Sequence, residues 1–427
     1  MRSFAIFVPL LLSAVAGAAV QPVIQPSASR TAVAPAMSYN VGYALNDWRR
    51  LRQSDGYAFA DYARFVIANP GWPGESGLRR AAEKQMRAGE NPMTVISFFA
   101  STEPRSGNGW ARLAESYVAT RKPTEALAAA RSAWTSANLS AYDEQSLFAR
   151  FGSQLTSQDH DKRVDALLFD KKTTDAYRML PWTSPARRGT FSARIAMLSR
   201  MPDAEARYQA VIGRVTTDAG LMMDRARYLR ESGYETAARQ LFARPHQFTE
   251  RPTDVDRFYE MMELLSGAAM SDRQYQLAYD IARQVDDSFA PGVDISLKSY
   301  GIRDKYTTLT WTAGTAALER LGRPRNAIAL FDKYANGGRS LQVATKGWYW
   351  AGRAASQAGD HAGARAHFER AAATPELFYG QLALERLGRI VPAPSGTPSL
   401  LVTPAQPTSF YQKRLVQALR LLGSQGR

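Results

Sequence analysis

The sequence predicts an all-α fold: a superhelical solenoid, ring or horseshoe, of degenerate tetratricopeptide-like helical hairpins. Three observations lead there. Apolar residues recur at helical spacing in Ala-rich runs such as TEALAAARSAW, and strand-like alternation is scarce. From about 41 to 390 such runs alternate with short Gly/Pro/Asn/Asp breaks, and no polar linker marks a domain boundary. The segment from Trp348 to Gly388 carries a repeat-type spacing of Trp348, Ala351, Gly352, Ala355, Gly359, Ala364, Phe368 and Ala371. Each residue there has a physical task. A large residue opens the first helix, Ala351 and Gly352 admit the second helix closely, Gly359 ends the first in a left-handed cap, and Phe368 fills the gap.

In chain order, residues 1–18 read as a cleavable export signal. Arg2 supplies the positive start, Phe4 to Val15 the apolar run, and Ala16-Gly17-Ala18 the small-residue cleavage site. An apolar run of about 12 residues falls short of the roughly 20 needed to span a bilayer. The expectation is therefore a periplasmic chain with no transmembrane segment after cleavage. Residues 19–40 are rich in Pro, Ser and Ala without periodicity and read as a mobile leader. The superhelical domain is expected over 41–390. Leu45 to Ala68 reads as helix, followed by a break at Pro70, Gly71, Pro73 and Gly74 and a second helix from about Glu75.

Weaker instances of the repeat spacing follow. One is Trp110, Leu113, Ala114, Tyr117, Ala126 and Ala133, another Ala226, Gly233, Ala238 and Phe242, and a third Trp311, Gly322, Ala327 and Phe331. The hairpins are clearest over 305–388, where the equivalent Ala327 and Ala364 stand 37 positions apart. Irregular spacing of the earlier units predicts a curved superhelix with a concave face open to a ligand. Residues 391–408, with Pro392, Pro394, Pro398, Pro404 and Pro407, are an extended linker. Residues 409–427 form an amphipathic helix with the stripe Leu415, Ala418, Leu419 and Leu422. It either folds back on the superhelix or starts a truncated following region.

At 427 residues, with 45% hydrophobic and 22% charged residues, the composition is globular. The absence of Cys excludes disulfides, thiol chemistry and a lipoprotein attachment site. Lys and Arg outnumber Asp and Glu by 54 to 39, a net charge of +15, which favours an anionic partner. Export argues against nucleic acid. In a bacterial envelope the anionic polymers are peptidoglycan, through its peptide carboxylates, and lipid head groups.

Several segments together resemble the superhelical region of the soluble lytic transglycosylases of the bacterial periplasm. WYWAGRA followed by FYGQLALERLG is similar to the end of that region. FADYARFVIANPGWPGESGLRRAAEKQM is similar to its opening helices, where an Asn-Pro break precedes an Arg-rich helix. SAWTSANLSAYDEQSLFARFGSQLTSQDHDKRVDALLF is similar to its next section, including Leu155-Thr156 and Asp159-His160. The resemblance runs from about Asp47 to Gly388, and its specificity lies in the order of the segments.

The resemblance implies a ring or horseshoe of helices that supports a goose-lysozyme-like domain. In that family one Glu protonates the glycosidic oxygen between N-acetylmuramic acid and N-acetylglucosamine and then assists attack by the sugar's own C6 hydroxyl. Such a carboxyl needs a raised pKa. The family places it in a Glu-Ser pair, followed downstream by Gly-Leu-Met-Gln. Here Glu-Ser occurs at Glu75-Ser76, Glu115-Ser116 and Glu231-Ser232, and Gly220-Leu221-Met222-Met223 is a near match to the second motif. None is in the expected order, and Met223 replaces the Gln, so no catalytic residue is assigned. The expectation is the superhelical part of such a protein, cut short by truncation, frameshift or gene-model error before its catalytic domain.

Other chemistry is not indicated. His160, His246, His361 and His367 are the four histidines, and His361 and His367 are spaced for different helix faces, so neither metal nor cofactor is expected. Glu260 and Glu263 read as surface charges. Trp348, Tyr349 and Trp350 read as helix-packing core rather than a sugar platform. The expected partners are peptidoglycan and envelope proteins. The competing reading is a free-standing periplasmic scaffold whose concave face binds a protein or peptide.

Overall fold

A computed structural model describes residues 40–393 and 408–424. The expected export signal, all of the leader except Asn40, and most of the Pro-rich linker lie outside the described residues. Twenty-two α-helices account for the described chain, joined by short turns and a few 3-10 turns. The one extended pairing among the described residues is an isolated bridge between Asp218 and Glu250. None of the described helices is long and apolar enough to cross a membrane.

Most helices pack on their sequence neighbours as antiparallel pairs. Gly107–Ala119 pairs with Pro123–Trp134, Val255–Ser271 with Tyr275–Ala282, and Leu341–Gln357 with His361–Ala372. The turns share one geometry. A helix ends, a single residue adopts the left-handed conformation, and the amide of the next residue donates back to the carbonyl five positions earlier. Gly359 has φ 77° and Asp360 N donates to Ala355 O at 3.0 Å. The same turn is built on Gly233, and also on Arg121, Lys171, Arg200 and Arg273, whose φ values lie between 52° and 59°. Lys122 N to Tyr117 O, Lys172 N to Leu167 O and Gln274 N to Ala269 O, each 2.8 Å, complete three of them. Only the glycine turns stand out in the sequence.

Two successive pairs use the same small-to-large contact. A Cβ at Gly352 would lie 2.6 Å from the Phe368 ring, and one at Gly314 would lie 2.7 Å from the Phe331 ring. Bare backbone at these points lets the paired helices approach closely. Trp311 and Trp350 pack edge-on at 5.3 Å against this layer.

The expected continuous helix from Leu45 to Ala68 is two helices, Val41–Leu51 and Phe59–Ala68. The chain breaks at Ser54-Asp55-Gly56, where Tyr62 Oη donates to Ser54 O at 2.7 Å and Gln85 Nε2 donates to Asp55 O at 2.8 Å. These tertiary bonds satisfy carbonyls that would otherwise have stayed inside a helix. The Thr156/Asp159 pair forms a capping box that starts Ser157–Phe169.

The C-terminal helix Arg414–Ser424 lies against the first helix, Val41–Leu51, so the two ends of the described chain meet. Ala418 is buried there and Leu421 sits beside Gly42. The packed stripe is the buried Ala418 with the half-buried Leu421 and Leu422, whereas Leu419 is 60% exposed. The apolar face is thus rotated from the expected one, because only one shallow side of this short helix meets its neighbour.

Candidate functional site

A groove of about 750 Å³ forms where Glu75–Gln85, Gly107–Ala119 and Ala141–Phe151 come together. Its walls are predominantly basic: Arg80, Lys84, Arg87, Arg105 and Arg112 face only Glu83 and Asp143. Those two carboxylates are consumed internally. Glu83 is buried and accepts from Ser106 N at 2.9 Å and Ser106 Oγ at 2.6 Å, closing the N-terminus of Gly107–Ala119. Asp143 is buried against Arg112 and accepts from Ser140 Oγ at 2.8 Å.

The remaining cations divide into two sets. Lys84 pairs with Asp55 at 2.6 Å. Arg87 donates to the carbonyls of Lys84 and Met86 and to Gln85, Arg105 donates to Ser76 Oγ at 2.9 Å, and Arg80 extends into solvent. The guanidiniums of Arg80, Arg87 and Arg105 therefore have no carboxylate partner among the described residues. Three exposed guanidiniums in one groove make a ready set of donors for anionic groups such as carboxylates.

A smaller cavity of about 260 Å³ adjoins the groove and shares Arg112, Tyr142 and Asp143 with it. Glu115 lines it, 3.2 Å from Arg112. Burial raises the Glu115 pKa, and Arg112 opposes that shift without cancelling it. The other two Glu-Ser glutamates are held in ion pairs. Glu75 is paired with Arg79 at 2.7 Å and accepts from Gly71 N, and Glu231 is exposed and paired with Arg200 at 2.9 Å.

Gly220, Leu221, Met222 and Met223 begin a buried helix, Ala219–Glu231, which is far in sequence from Glu75 and Glu115 and has the exposed Glu231 as its last residue. A Cβ at Gly220 would overlap the guanidinium of Arg194. Arg194 is 0% exposed, pairs with Asp165 and with Asp224 at 2.7 Å, and lies over the Phe169 ring at 5.3 Å. Burial works against its charge, but the surrounding carboxylates outweigh it and push the pKa up. The motif is packing for a buried ion network.

The remaining sequence candidates are dispersed. His160 lies in an aromatic cluster, and its pKa is lowered by burial. His246 Nδ1 contacts Asp287 Oδ2 at 2.7 Å, His367 stands 3.5 Å from Asp332, and His361 opens a helix at the surface. No group of three or more His, Asp or Glu among the described residues is placed to hold a metal ion. Glu260 is exposed and 3.5 Å from Lys305, whereas Glu263 is half-buried and its pKa is raised by burial. Tyr349 is core, in contact with Phe368 and Tyr379, and Arg370 covers the Trp348 ring at 4.6 Å.

The groove arginines escaped the motif reading because they come from two segments about 25 residues apart, with no fixed spacing. The one local signal was the Arg-rich character of the helix after the Asn-Pro break. A second concavity lies across Ala141–Phe151 from the groove and is lined by Trp134, Phe148 and Trp182.

No protein-family model matches this chain, and no curated protein matches it. Among solved structures it is similar to the 70 kDa soluble lytic transglycosylase in complex with bulgecin A, at 15% identity and TM-score 0.42, covering 90% of this chain and 58% of that one. It is also similar to an inactive mutant of lytic transglycosylase Slt from Pseudomonas aeruginosa, at 16% identity and TM-score 0.40, covering 82% and 54%. A third is the 70 kDa soluble lytic transglycosylase from Escherichia coli, at 15% identity and TM-score 0.38, covering 90% and 58%. The chain thus spans less than two thirds of the length of the solved structures it is similar to.

Proposed function

We propose that this chain is a peptidoglycan-associated superhelical module of the soluble lytic transglycosylase type, exported to the periplasm, that holds the polymer and does not itself cleave it. The observation that carries the reading is the groove in which the guanidiniums of Arg80, Arg87 and Arg105 lack carboxylate partners among the described residues. Peptide carboxylates of the cell wall are the matching anions in an exported protein. The ordered sequence resemblance from Asp47 to Gly388 supports the same assignment, with the paired helices read as tetratricopeptide-like hairpins. Each exposed charge contact is worth only about 1 kcal/mol at 4 Å in water, so retention has to come from several arginines acting together. It also has to weaken with salt.

Co-sedimentation with purified sacculi tests this. The wild-type chain is expected in the pellet at low salt and in the supernatant at high salt, and the triple variant Arg80→Ala, Arg87→Ala, Arg105→Ala is expected to lose most of the retention. Failure of the wild type to sediment, with capture of one defined envelope protein instead, favours a free-standing scaffold and overturns the proposal. Incubation with sacculi also tests the absence of cleavage. Neither the wild type nor Glu115→Gln is expected to release anhydro-muropeptides; release by the wild type that Glu115→Gln abolishes would make Glu115 an acid catalyst.

A further inference from the structure

We propose that the cleft on the other side of Ala141–Phe151 is a binding site for a neutral pyranose ring, with Trp182 and Phe148 as its stacking surfaces. The cleft has a volume of about 450 Å³. Trp182 is 44% exposed and Phe148 37% exposed, so both rings present apolar surface to the cleft. Their rings meet at 71° with centroids 5.7 Å apart, forming a corner, while Trp134 stacks beneath Phe148 at 5.7 Å as a buried floor. The Trp134 indole N–H has no acceptor among the described residues.

The polar groups are placed in advance. Glu144 is pinned by Arg163 from behind and by Arg178 at 2.6 Å from the rim. Burial raises its pKa, but the two guanidiniums outweigh that and hold it low, so it is a fixed ionised acceptor. Asp175 stands 3.3 Å from Arg178, and Gln145 is exposed beside them. The turn that presents Trp182 is also tied down. Arg188 donates to the carbonyls of Leu180, Pro181 and Thr183, at 3.2, 3.2 and 2.8 Å, and Thr183 Oγ1 donates to Leu180 O at 2.6 Å. Asp161 then accepts from Ser184 N at 2.9 Å and Ser184 Oγ at 2.6 Å.

These features select the ligand class. Perpendicular rings leave no parallel slot for a flat base, but a corner accepts the C–H face of a sugar while its edge hydroxyls reach carboxylate, amide and guanidinium groups. Glu144 and Asp175 are balanced by Arg178 and the underlying Arg163, so the cleft suits a neutral ligand, in contrast to the basic groove. That the ring belongs to the same polymer as the carboxylates in the groove rests on the function proposed above; the sugar assignment rests on the cleft itself.

Isothermal titration of the full chain with a soluble β-1,4-linked tetramer of N-acetylglucosamine is the test. The wild type is expected to bind in about the millimolar range or tighter. Trp182→Ala and Phe148→Ala are each expected to weaken binding roughly tenfold, as for removal of a central aromatic contact. Arg188→Ala, which only positions the turn, should weaken it less, and Tyr234→Ala, an exposed aromatic elsewhere, should leave it unchanged. No binding by the wild type, or full affinity in Trp182→Ala, overturns the proposal. Loss of tetramer binding in Trp182→Ala together with arginine-independent sedimentation of sacculi would sink the groove and leave the cleft; the opposite pattern would sink the cleft alone.

Discussion

Gly220 shows how a residue that looks like part of a catalytic motif is explained by a neighbour 26 positions earlier, Arg194. The Arg194 guanidinium lies where a Cβ would be, and it is held there by Asp165 and Asp224. A methyl group at Gly220 displaces a fully buried cation from both partners. Gly220→Ala is therefore expected to lower stability by about 2–4 kcal/mol, combining overpacking with a disturbed buried ion pair. Gly267, mid-helix with nothing within 4 Å of its absent Cβ, is the contrasting site. There, replacement by Ala should add up to about 1 kcal/mol through helix propensity. Denaturant unfolding of both variants decides the matter: equal effects would mean that the Arg194 contact does not govern Gly220.

The recurring element is a helix pair joined through one left-handed residue, and the chain fills that position in two ways. Gly359 and Gly233 adopt it freely, while Arg121, Lys171, Arg200 and Arg273 adopt it against the contact between Cβ and carbonyl. Replacing Arg121 or Arg273 by Gly relieves that contact and costs some unfolded-state entropy. A net gain of about 0.5–1 kcal/mol per site is expected. Gly359→Ala, with open space around it, should lose about 1 kcal/mol for conformational reasons alone. Unfolding midpoints for the three variants check the sign, and a loss in Arg121→Gly would show that its side chain has another role.

At the scale of the whole molecule, the docking of Arg414–Ser424 on Val41–Leu51 joins the two ends of the described chain. Its small buried face centres on Ala418, so Ala418→Asp places an unpaired carboxylate in an apolar contact. The helix should detach while the rest of the fold persists. Faster tryptic cleavage at Lys413 and Arg414, with little change in far-ultraviolet circular dichroism, is the expected result; an unchanged cleavage rate would mean that the contact is not what holds this helix.

Helical class, the break at Pro70 to Gly74 and the pairs over 305–388 could all be read along the chain. Each depends on periodicity or backbone restriction within a few residues. The break at Ser54 to Gly56 could not, because its carbonyls are satisfied by Tyr62 and Gln85 only after the helices have packed. The candidate sites lay still further from view. Whether an arginine is paired or free depends on carboxylates that tertiary packing brings near it: Arg112 meets Asp143, while Arg80 meets none. Trp134, Phe148 and Trp182 form one cleft although they are spread over 49 residues of sequence. Helix formation is decided locally; burial, charge pairing and the shape of a cleft are sums over neighbours that only the folded chain assembles.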